Sequence, residues 1–399
     1  MMLRAVLFLA ALLAPACAET RLVFGDYRVL YDAQKQGYRA NSAGAALLDG
    51  QLDLVFTGAL NDDEAGTLPF LARSRDLGAT WTAPQRFGAE IIGKLIRSPR
   101  EEFLALTLFG PTRRQTLLSI GYHVRRGTRK ESYREDVRWR PGALLIGRKA
   151  KGESAFTYQD YASGTFLGEQ FGAPGLQTAG GRLVATLWGA ARQGENWQCG
   201  VLLSDDDGLT WRYRQVGYAA EPAIRDDPQM PAGYNEQTLF ETRGGLLVSV
   251  IRGREKLGRV PESPKDTWFF RAVSRDRGET WSRPEPSNLA GTGAPAAGLA
   301  LPDGSLLMAA RVPYSRTLYR LPEKDLFGLH LVRSFDGGRT WRTVKIVQRD
   351  PDGNPFDNYY NAMNGQFLSL GGGRWMYLFG EFSVKRDQHR VLMLRFSVQ

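Results

Sequence analysis

The feature that most constrains this chain is an eight-residue pattern, S-x-D-x-G-x-T-W, that occurs four times. The copies occupy residues 74–81, 204–211, 274–281 and 334–341. Five of the eight positions are the same in every copy, and chance does not produce that four times in 399 residues. The chain is therefore built from repeats.

The residue types in this pattern predict a turn between two strands. Short Ser and Asp side chains bond nearby backbone amides and close a turn. Glycine accepts a positive φ that other residues resist. Thr and Trp then begin a strand, and the indole is available to pack against a neighbouring element.

A second repeating element consists of two apolar segments joined by a Gly-rich turn, which is typical of a β-hairpin. It occurs at residues 45–57, 175–188, 238–251, 298–310 and 366–379, and in a weaker form at 91–109 with residues 98–100 at its turn. Six hairpins, most of them followed by the eight-residue turn, predict six four-stranded units.

The spacing of the turns predicts how the units are distributed. The interval from Ser74 to Ser204 is 130 positions, against 70 and 60 for the next two. The long interval therefore contains a unit whose turn motif has degenerated. The segments 21–30 and 390–398 are expected to share one unit and close a ring. The predicted fold class is all-β, a six-bladed β-propeller with four recognisable eight-residue turns.

The N-terminus predicts export. Residues 1–18 combine Arg4, an apolar run and the small residues Ala16 and Ala18 at the end, which is typical of a cleavable signal peptide. The apolar run is short for a membrane-spanning helix. A lipoprotein cysteine at Cys17 is an alternative, but Ala14 fits that signal poorly. We expect residues 19–399 to form one domain of a secreted or periplasmic protein with no membrane span.

Charge, cysteine and histidine content limit the partners. The formal charge of +10 and pI of about 9.6 favour anionic partners. The basic residues are spread along the chain without a nucleic-acid-binding motif, so an acidic glycan is expected rather than nucleic acid. Cleavage at residue 18 leaves Cys199 alone, expected as a small buried apolar residue. The three histidines show no metal-ligand spacing, and we expect neither a metal nor a cofactor.

The four turns and six hairpins resemble the Asp boxes and hairpins of the sialidase (neuraminidase) superfamily, over nearly the whole chain after residue 18. In that family the Asp boxes lie on the propeller rim, away from the site, so they indicate fold rather than activity. The resemblance implies an arginine triad that binds the substrate carboxylate, a Tyr nucleophile activated by a Glu, and an Asp acid/base.

The segment 234–252 gives the best match to the family's site motifs. Residues 234–237 (YNEQ) resemble the family's N-E-P, and an apolar hairpin with an Arg on its second strand follows. The resemblance assigns Glu236 as the activating Glu and Arg252 as one triad Arg. The alternative is a buried ion pair with a structural role.

Residues 38–41 (YRAN) resemble the family's Y/F-R-I-P, which makes Arg39 the first triad Arg. Ile and Pro are absent, and one extra residue before the hairpin turn requires a bulge. An exposed loop arginine is the alternative.

The other roles fall on loops. The acid/base Asp belongs before the first Asp box, where Asp62 and Asp63 both fit, and a solvated turn is the alternative. The third Arg belongs before the last box, where Arg311, Arg316 and Arg320 compete. Arg320 fits best, and Arg333, which abuts the box, is expected to be structural.

The nucleophile position is ambiguous. Tyr360 fits the family's local context before the sixth hairpin. A gapless count back from the Gly-rich turn at 371–373 places Asn364 there instead. Either the loop carries an insertion or the chain lacks this Tyr.

The expected function is that of a secreted, monomeric exo-α-sialidase that hydrolyses sialylated glycans with retention through Tyr360. One alternative is a propeller glycosidase or lyase for another acidic glycan, which the departures at Arg39 and Asn364 favour. Others are a non-catalytic glycan-binding propeller and an assembly scaffold.

Overall fold

The computed structural model of the protein describes most of the chain. The described residues are 19–32, 42–57, 69–86, 101–125, 144–161, 164–165, 168–171, 175–190, 196–218, 233–254, 267–291, 295–310, 328–356, 363–383, 386 and 388–399. Every named element among them is a β-strand. No helix in these ranges has the length and apolar character needed to cross a membrane.

The described strands form four sheets of four strands and one of nine, in which a single parallel contact, Trp197–Gly233, joins two antiparallel groups. We describe the strands as successive antiparallel groups, called units and numbered along the chain; the third has five named strands and the others have four. Unit 1 contains β2 (Ser42–Leu48), β3 (Gln51–Thr57), β4 (Pro69–Ser74) and β5 (Gln85–Arg86). Unit 2 contains β6 (Glu101–Phe109), β7 (Leu117–Arg125), β8 (Leu144–Lys149) and β9 (Thr157–Tyr161). Unit 3 contains β10 (Gly168–Phe171), β11 (Leu176–Gln177), β12 (Leu183–Ala190), β13 (Trp197–Ser204) and β14 (Arg212–Gly217).

Units 4 to 6 repeat the same order. Unit 4 contains β15 (Gly233–Glu241), β16 (Leu247–Arg254), β17 (Thr267–Ser274) and β18 (Glu285–Gly291). Unit 5 contains β19 (Pro295–Ala300), β20 (Leu306–Ala310), β21 (Leu329–Ser334) and β22 (Arg342–Val347). Unit 6 contains β23 (Met363–Gly371), β24 (Arg374–Ser383), β25 (Gln388–Val398) and β1 (Leu22–Asp32). The first-named strands of units 1 and 2, 4 and 5, 5 and 6, and 6 and 1 lie against one another, so the first-named strand of each of these units is the inner one.

The chain termini share unit 6, as the sequence predicted. Strand β1 pairs with β25 from Leu22–Val398 to Asp32–Arg390. The last unit is therefore completed by the first strand, which ties the two ends of the chain together.

Apolar burial joins the units into a ring. Each pair of successive units shares a cluster of buried apolar side chains. Units 6 and 1 share one as well, in which Phe56 of β3 and Leu378 of β24 are completely buried. The predicted all-β propeller is confirmed, with these units following one another around the ring.

The Asp boxes have the predicted turn chemistry and connect the third and fourth strands of units 1, 3, 4 and 5. In each box the Ser hydroxyl accepts the glycine N–H at 2.7 to 2.9 Å and donates to the Asp carboxylate. That carboxylate also accepts the Thr N–H and hydroxyl. The box glycines have φ between 84° and 95°, which explains the invariant Gly.

Arginines from the preceding unit tie each box into the ring. The carbonyl of the residue before the box glycine accepts an Arg hydrogen bond in all four boxes. The pairs are Arg395–Leu77, Arg148–Asp207, Arg182–Arg277 and Arg271–Gly337. Arg333 donates instead to Thr20, just before β1, at 2.7 Å. The expectation that Arg333 is structural is thereby confirmed.

Unit 2 is the predicted unit without a box. Its β8–β9 turn is closed by Glu153, whose carboxylate accepts the Ala150 N–H at 2.7 Å. The predicted hairpin turn at residues 98–100 lies outside the described residues, and the described hairpin of this unit pairs β6 with β7 through a turn at 110–116. The Thr112 N–H donates to the Thr116 carbonyl, and the Thr112 carbonyl accepts the Gln115 N–H, each at 2.9 Å. This turn therefore closes without a Gly-Gly or Asp-Gly pair.

A buried charged cluster fixes the connection between β22 and β23 to unit 6. Arg390 donates to Glu381 at 2.8 Å, to Asp350 at 2.8 Å and to Asp352. Arg386 lies 3.3 Å from Glu381 and 3.4 Å from Asp350. Both of those carboxylates are inaccessible to solvent, and burial raises the pKa of Glu381.

Candidate functional site

Glu236 and Arg252, which the sequence singled out as a pair, form an ion pair in unit 4. Nη1 of Arg252 donates to Oε2 of Glu236 at 2.5 Å. The Glu236 side chain is 25% exposed and that of Arg252 14%. The pair is therefore largely desolvated but still partly open to solvent.

The pairing register of the β15–β16 hairpin explains why these two side chains meet. Counting back from the Glu241–Leu247 pair, the regular ladder runs to Gln237–Ile251, and the same count continued by one residue places Glu236 opposite Arg252. Directly opposed side chains in an antiparallel ladder have Cβ atoms about 5 Å apart on one face. The sixteen-residue spacing that matched the family motif is thus a cross-strand contact.

A β-bulge lies at this position. The ladder shifts between Tyr234–Gly253 and Gln237–Ile251, so that Asn235 and Glu236 both stand opposite Arg252. The side chain of Asn235 accepts the Glu236 N–H at 2.8 Å. Bulges re-aim side chains and are common beside active sites.

Tyr234 anchors the other side of the bulge. It is buried, and its ring meets that of Phe270 edge-on with centroids 5.1 Å apart. Gly233 precedes it with φ +107°, and a Cβ there would lie 2.2 Å from the Trp197 carbonyl oxygen. Only glycine therefore lets β15 begin against unit 3.

The Glu236–Arg252 pair and the Asp boxes lie at opposite ends of the units. We call the end with the hairpin turns and Asp boxes the rim face, and the end with Glu236 and Arg252 the site face. The hairpin turn at 242–246 closes the rim end of β15 and β16, whereas Glu236 and Arg252 lie toward the far ends of these strands. This separation agrees with the expectation that the boxes do not contribute to the site.

Inner strands of units 5 and 6 also carry bulges near the site face. The shifts lie between Pro295 and Ala297 in β19 and between Met363 and Gly365 in β23. The second is at Asn364, so the backbone of Asn364 occupies a bulge at the start of the inner strand, as Asn235 and Glu236 do in unit 4. The gapless count in the sequence therefore leads to a bulge in unit 6 that corresponds to the bulge carrying Glu236 in unit 4.

The other predicted site residues lie outside the described residues. They are Arg39, Asp62, Asp63, Arg311, Arg316, Arg320 and Tyr360. The described strand ends next to them, such as Ser42 paired with Thr57, lie away from their hairpin turns.

Metal ligands are not a feature of the described part of the site. Across the described ranges, no three His, Cys, Asp or Glu side chains are grouped to hold a metal ion. Cys199 is completely buried, as predicted, and burial raises the pKa of its thiol. The chemistry of the described site is therefore that of a carboxylate and a guanidinium.

Comparison with known proteins places this geometry in context. Residues 163–383 match a family model described as a BNR repeat-like domain. No curated protein matches the chain. A protein of unknown function from Dyadobacter fermentans has a similar structure, with a TM-score of 0.68 and 17% identity, over 97% of this chain and 100% of that one.

Two solved enzymes share the fold. The NanB sialidase of Streptococcus pneumoniae has a TM-score of 0.59 and 13% identity, over 94% of this chain and 70% of that one. An alpha-L-arabinanase from Penicillium chrysogenum has a TM-score of 0.55 and 11% identity, over 93% and 98%. At these identities the likeness is one of fold, and activity has to be argued from the site.

Proposed function

The chain belongs to the BNR repeat-like domain family, and from that premise we propose that it is an exo-α-sialidase that releases terminal sialic acid from glycoconjugates. The observation that carries the proposal is the partly open Glu236–Arg252 pair at the site-face end of an inner strand. A carboxylate and a guanidinium at a bulge are the two groups that the sialidase resemblance requires at these positions.

The proposed roles follow from the substrate. Arg252, with Arg39 and Arg320, binds the sialic acid carboxylate, for which the planar guanidinium is suited. An anionic nucleophile would be repelled by that carboxylate, and Tyr360 therefore attacks the anomeric carbon as its proton passes to Glu236. The glycosidic bond breaks, and its oxygen takes a proton from Asp62 or Asp63.

The second step regenerates the enzyme. Water attacks the anomeric carbon and gives its proton to the same Asp, the bond from Tyr360 breaks, and Glu236 returns the proton to the Tyr oxygen. Two displacements at one carbon give retention of configuration. Water is the only co-reactant required.

Turnover of a fluorogenic α-sialoside tests the proposal. We expect Glu236→Gln to lower kcat by about 10²- to 10⁴-fold, the usual range for a positioned proton acceptor. Arg252→Lys should mainly raise KM, because Lys cannot bind a carboxylate bidentately. Tyr360→Phe should abolish the retaining reaction, and proton NMR of the first product formed reports its anomeric configuration.

A matched control is available on the rim face. Glu279 also pairs with arginines, at 2.6 Å from Arg212 and 3.0 Å from Arg214. Glu279→Gln should leave kcat and KM unchanged. Absence of turnover by the unaltered protein on α2,3-, α2,6- and α2,8-linked sialosides would refute the proposal.

A second candidate is a glycosidase or lyase for another acidic glycan. The bulge at Asn364 favours it, because this position corresponds to the family's nucleophile in a gapless count. It predicts turnover of uronic-acid-containing oligosaccharides that survives in Tyr360→Phe and is lost in Arg252→Lys.

A further inference from the structure

Gln237 directly follows Glu236 and is completely buried, although its side chain is a polar amide. It lies on the unit 3 side of β15, in the ladder opposite Ile251, which belongs to the apolar cluster between units 3 and 4. A buried amide in apolar surroundings is costly unless its hydrogen-bonding groups are used.

The amide of Gln237 is used at both ends. Its Nε2 donates to the Gly200 carbonyl at 2.5 Å and to the Leu187 carbonyl at 3.4 Å. Both acceptors belong to unit 3, where the two residues pair across β12 and β13. Its Oε1 accepts the hydroxyl of Ser249 on β16 at 2.7 Å. One side chain therefore links two strands of unit 3 with both strands of the hairpin that carries Glu236.

The hydrogen bonds of Gln237 lie directly beside the bulge that carries Glu236. Gln237 is the first regularly paired residue on the rim side of the bulge, and Tyr234 is the first on the other side. Tyr234 is held by aromatic packing and Gln237 by hydrogen bonds. With both ends of the bulge fixed to their surroundings, Asn235 and Glu236 have little freedom between them.

We propose that Gln237 is a positioning residue that holds the Glu236 carboxylate in its working orientation through the contact between units 3 and 4. The effect on catalysis rests on the proposed function of Glu236. The effect on the bulge does not, because it follows from the hydrogen bonds alone. Gln237 does not contact substrate, since it faces unit 3 and is inaccessible to solvent.

Gln237→Leu tests the proposal, because Leu fills similar space and makes none of the hydrogen bonds. We expect kcat for the α-sialoside to fall about 10- to 100-fold, the scale of loss when a reacting group is misplaced by about 1 Å. KM should change less than threefold, since Arg252 remains on β16. Ser249→Ala removes only one hydrogen bond and should lower kcat in the same direction by a smaller factor.

A control separates positioning from a general loss of stability. Thr116 is buried and donates to Asp207 at 2.5 Å, which links units 2 and 3 on the rim face. Thr116→Val keeps the shape and removes that link. It should lower the melting temperature while leaving kcat and KM unchanged.

Hydrogen–deuterium exchange gives a readout that does not depend on activity. We expect faster exchange in the peptide covering 233–241 in Gln237→Leu and Ser249→Ala, and unchanged exchange there in Thr116→Val. If Gln237→Leu does not fold, Ser249→Ala provides both the kinetic and the exchange tests.

The outcomes distinguish the two proposals. If the unaltered protein turns over no sialoside, the proposed function fails, and exchange alone decides whether Gln237 fixes the bulge. A kcat within threefold of the unaltered protein in Gln237→Leu overturns the positioning role in catalysis, whatever the exchange. Unchanged exchange at 233–241 overturns the structural claim.

Discussion

The buried charged cluster around Arg390 is expected to stabilise the fold by an amount that a single substitution can measure. Arg390→Met retains an apolar stem and removes the guanidinium that bonds Glu381 and Asp350 at 2.8 Å. Breaking a buried ion pair by removing one partner costs about 3–5 kcal/mol, because a charge is left without compensation. Arg386 remains 3.3–3.4 Å from the same carboxylates, so we expect the lower end, about 3 kcal/mol.

This loss converts into a measurable shift in melting temperature. Unfolding entropy near 60 °C is about 2.1 cal/mol/K per residue, or about 0.8 kcal/mol/K for a chain of 399 residues. A loss of about 3 kcal/mol therefore lowers the melting temperature by about 4 °C in differential scanning calorimetry.

The stability difference between Arg390→Met and the unaltered protein should depend on pH in one direction. Without Arg390, the buried Glu381 carboxyl has a pKa raised further above its unfolded value, so the folded variant loses stability as pH rises through that pKa. The deficit should be larger at pH 8 than at pH 5.

Arg342→Met is the matched control. Arg342 lies 2.7 Å from Glu19, but both side chains are more than half exposed, and such pairs contribute less than about 1 kcal/mol. If Arg390→Met costs no more than Arg342→Met, the cluster does not stabilise this connection and the reasoning is wrong.

Two further predictions concern the rim turns and the start of β15. Hydrogen bonds from the Thr280 hydroxyl and amide lower the pKa of Asp276 to about 2, so its stabilising contribution is complete above about pH 4 and disappears as pH falls toward 2. Asp276→Asn should destabilise the protein at pH 7 by about 1 kcal/mol, which lowers its melting temperature. If the variant melts below the unaltered protein by the same amount at pH 2.5 as at pH 7, this reasoning is contradicted. Gly233→Ala should cost about 2–3 kcal/mol in urea unfolding because of its positive φ and the 2.2 Å approach to the Trp197 carbonyl. Gly244→Ala, with no atom within 4 Å of the added carbon, should change stability by less than about 0.5 kcal/mol, and equal effects at the two glycines would refute the reasoning.

The fold was predictable because its signals are local and repeated. An Asp box closes on itself through Ser, Asp, Gly and Thr side chains within eight residues, so its sequence contains the whole of its turn chemistry. The β6–β7 hairpin of unit 2 was not evident from the sequence, because its turn at 110–116 closes through Thr112 and not through a Gly-Gly or Asp-Gly pair. Turn chemistry of that kind is not evident from composition.

The contact between the two candidate site residues that the structure describes was predictable because local register determines it. Glu236 and Arg252 are equidistant from the rim turn of one hairpin, so their contact follows from the sequence once the turn is placed. Gln237 was visible in the same motif but had no assigned role, because its partners Leu187 and Gly200 are 50 and 37 residues away in another unit. A polar residue at a position facing an apolar cluster was the available signal.

The two faces of the ring differ in how their geometry is maintained, and this bears on the site. Rim turns are fixed twice, by their own side chains and by an Arg from the preceding unit. On the site face, bulges interrupt the inner strands of units 4, 5 and 6 and remove regular pairing where side chains must be aimed. On our proposal, the orientation of Glu236 depends on the hydrogen bonds of Gln237 to unit 3 and on the packing of Tyr234 against Phe270 within unit 4. Residues that position the site should therefore lie at the unit interfaces beside the bulges, and substitutions on the rim should change stability without changing KM or kcat.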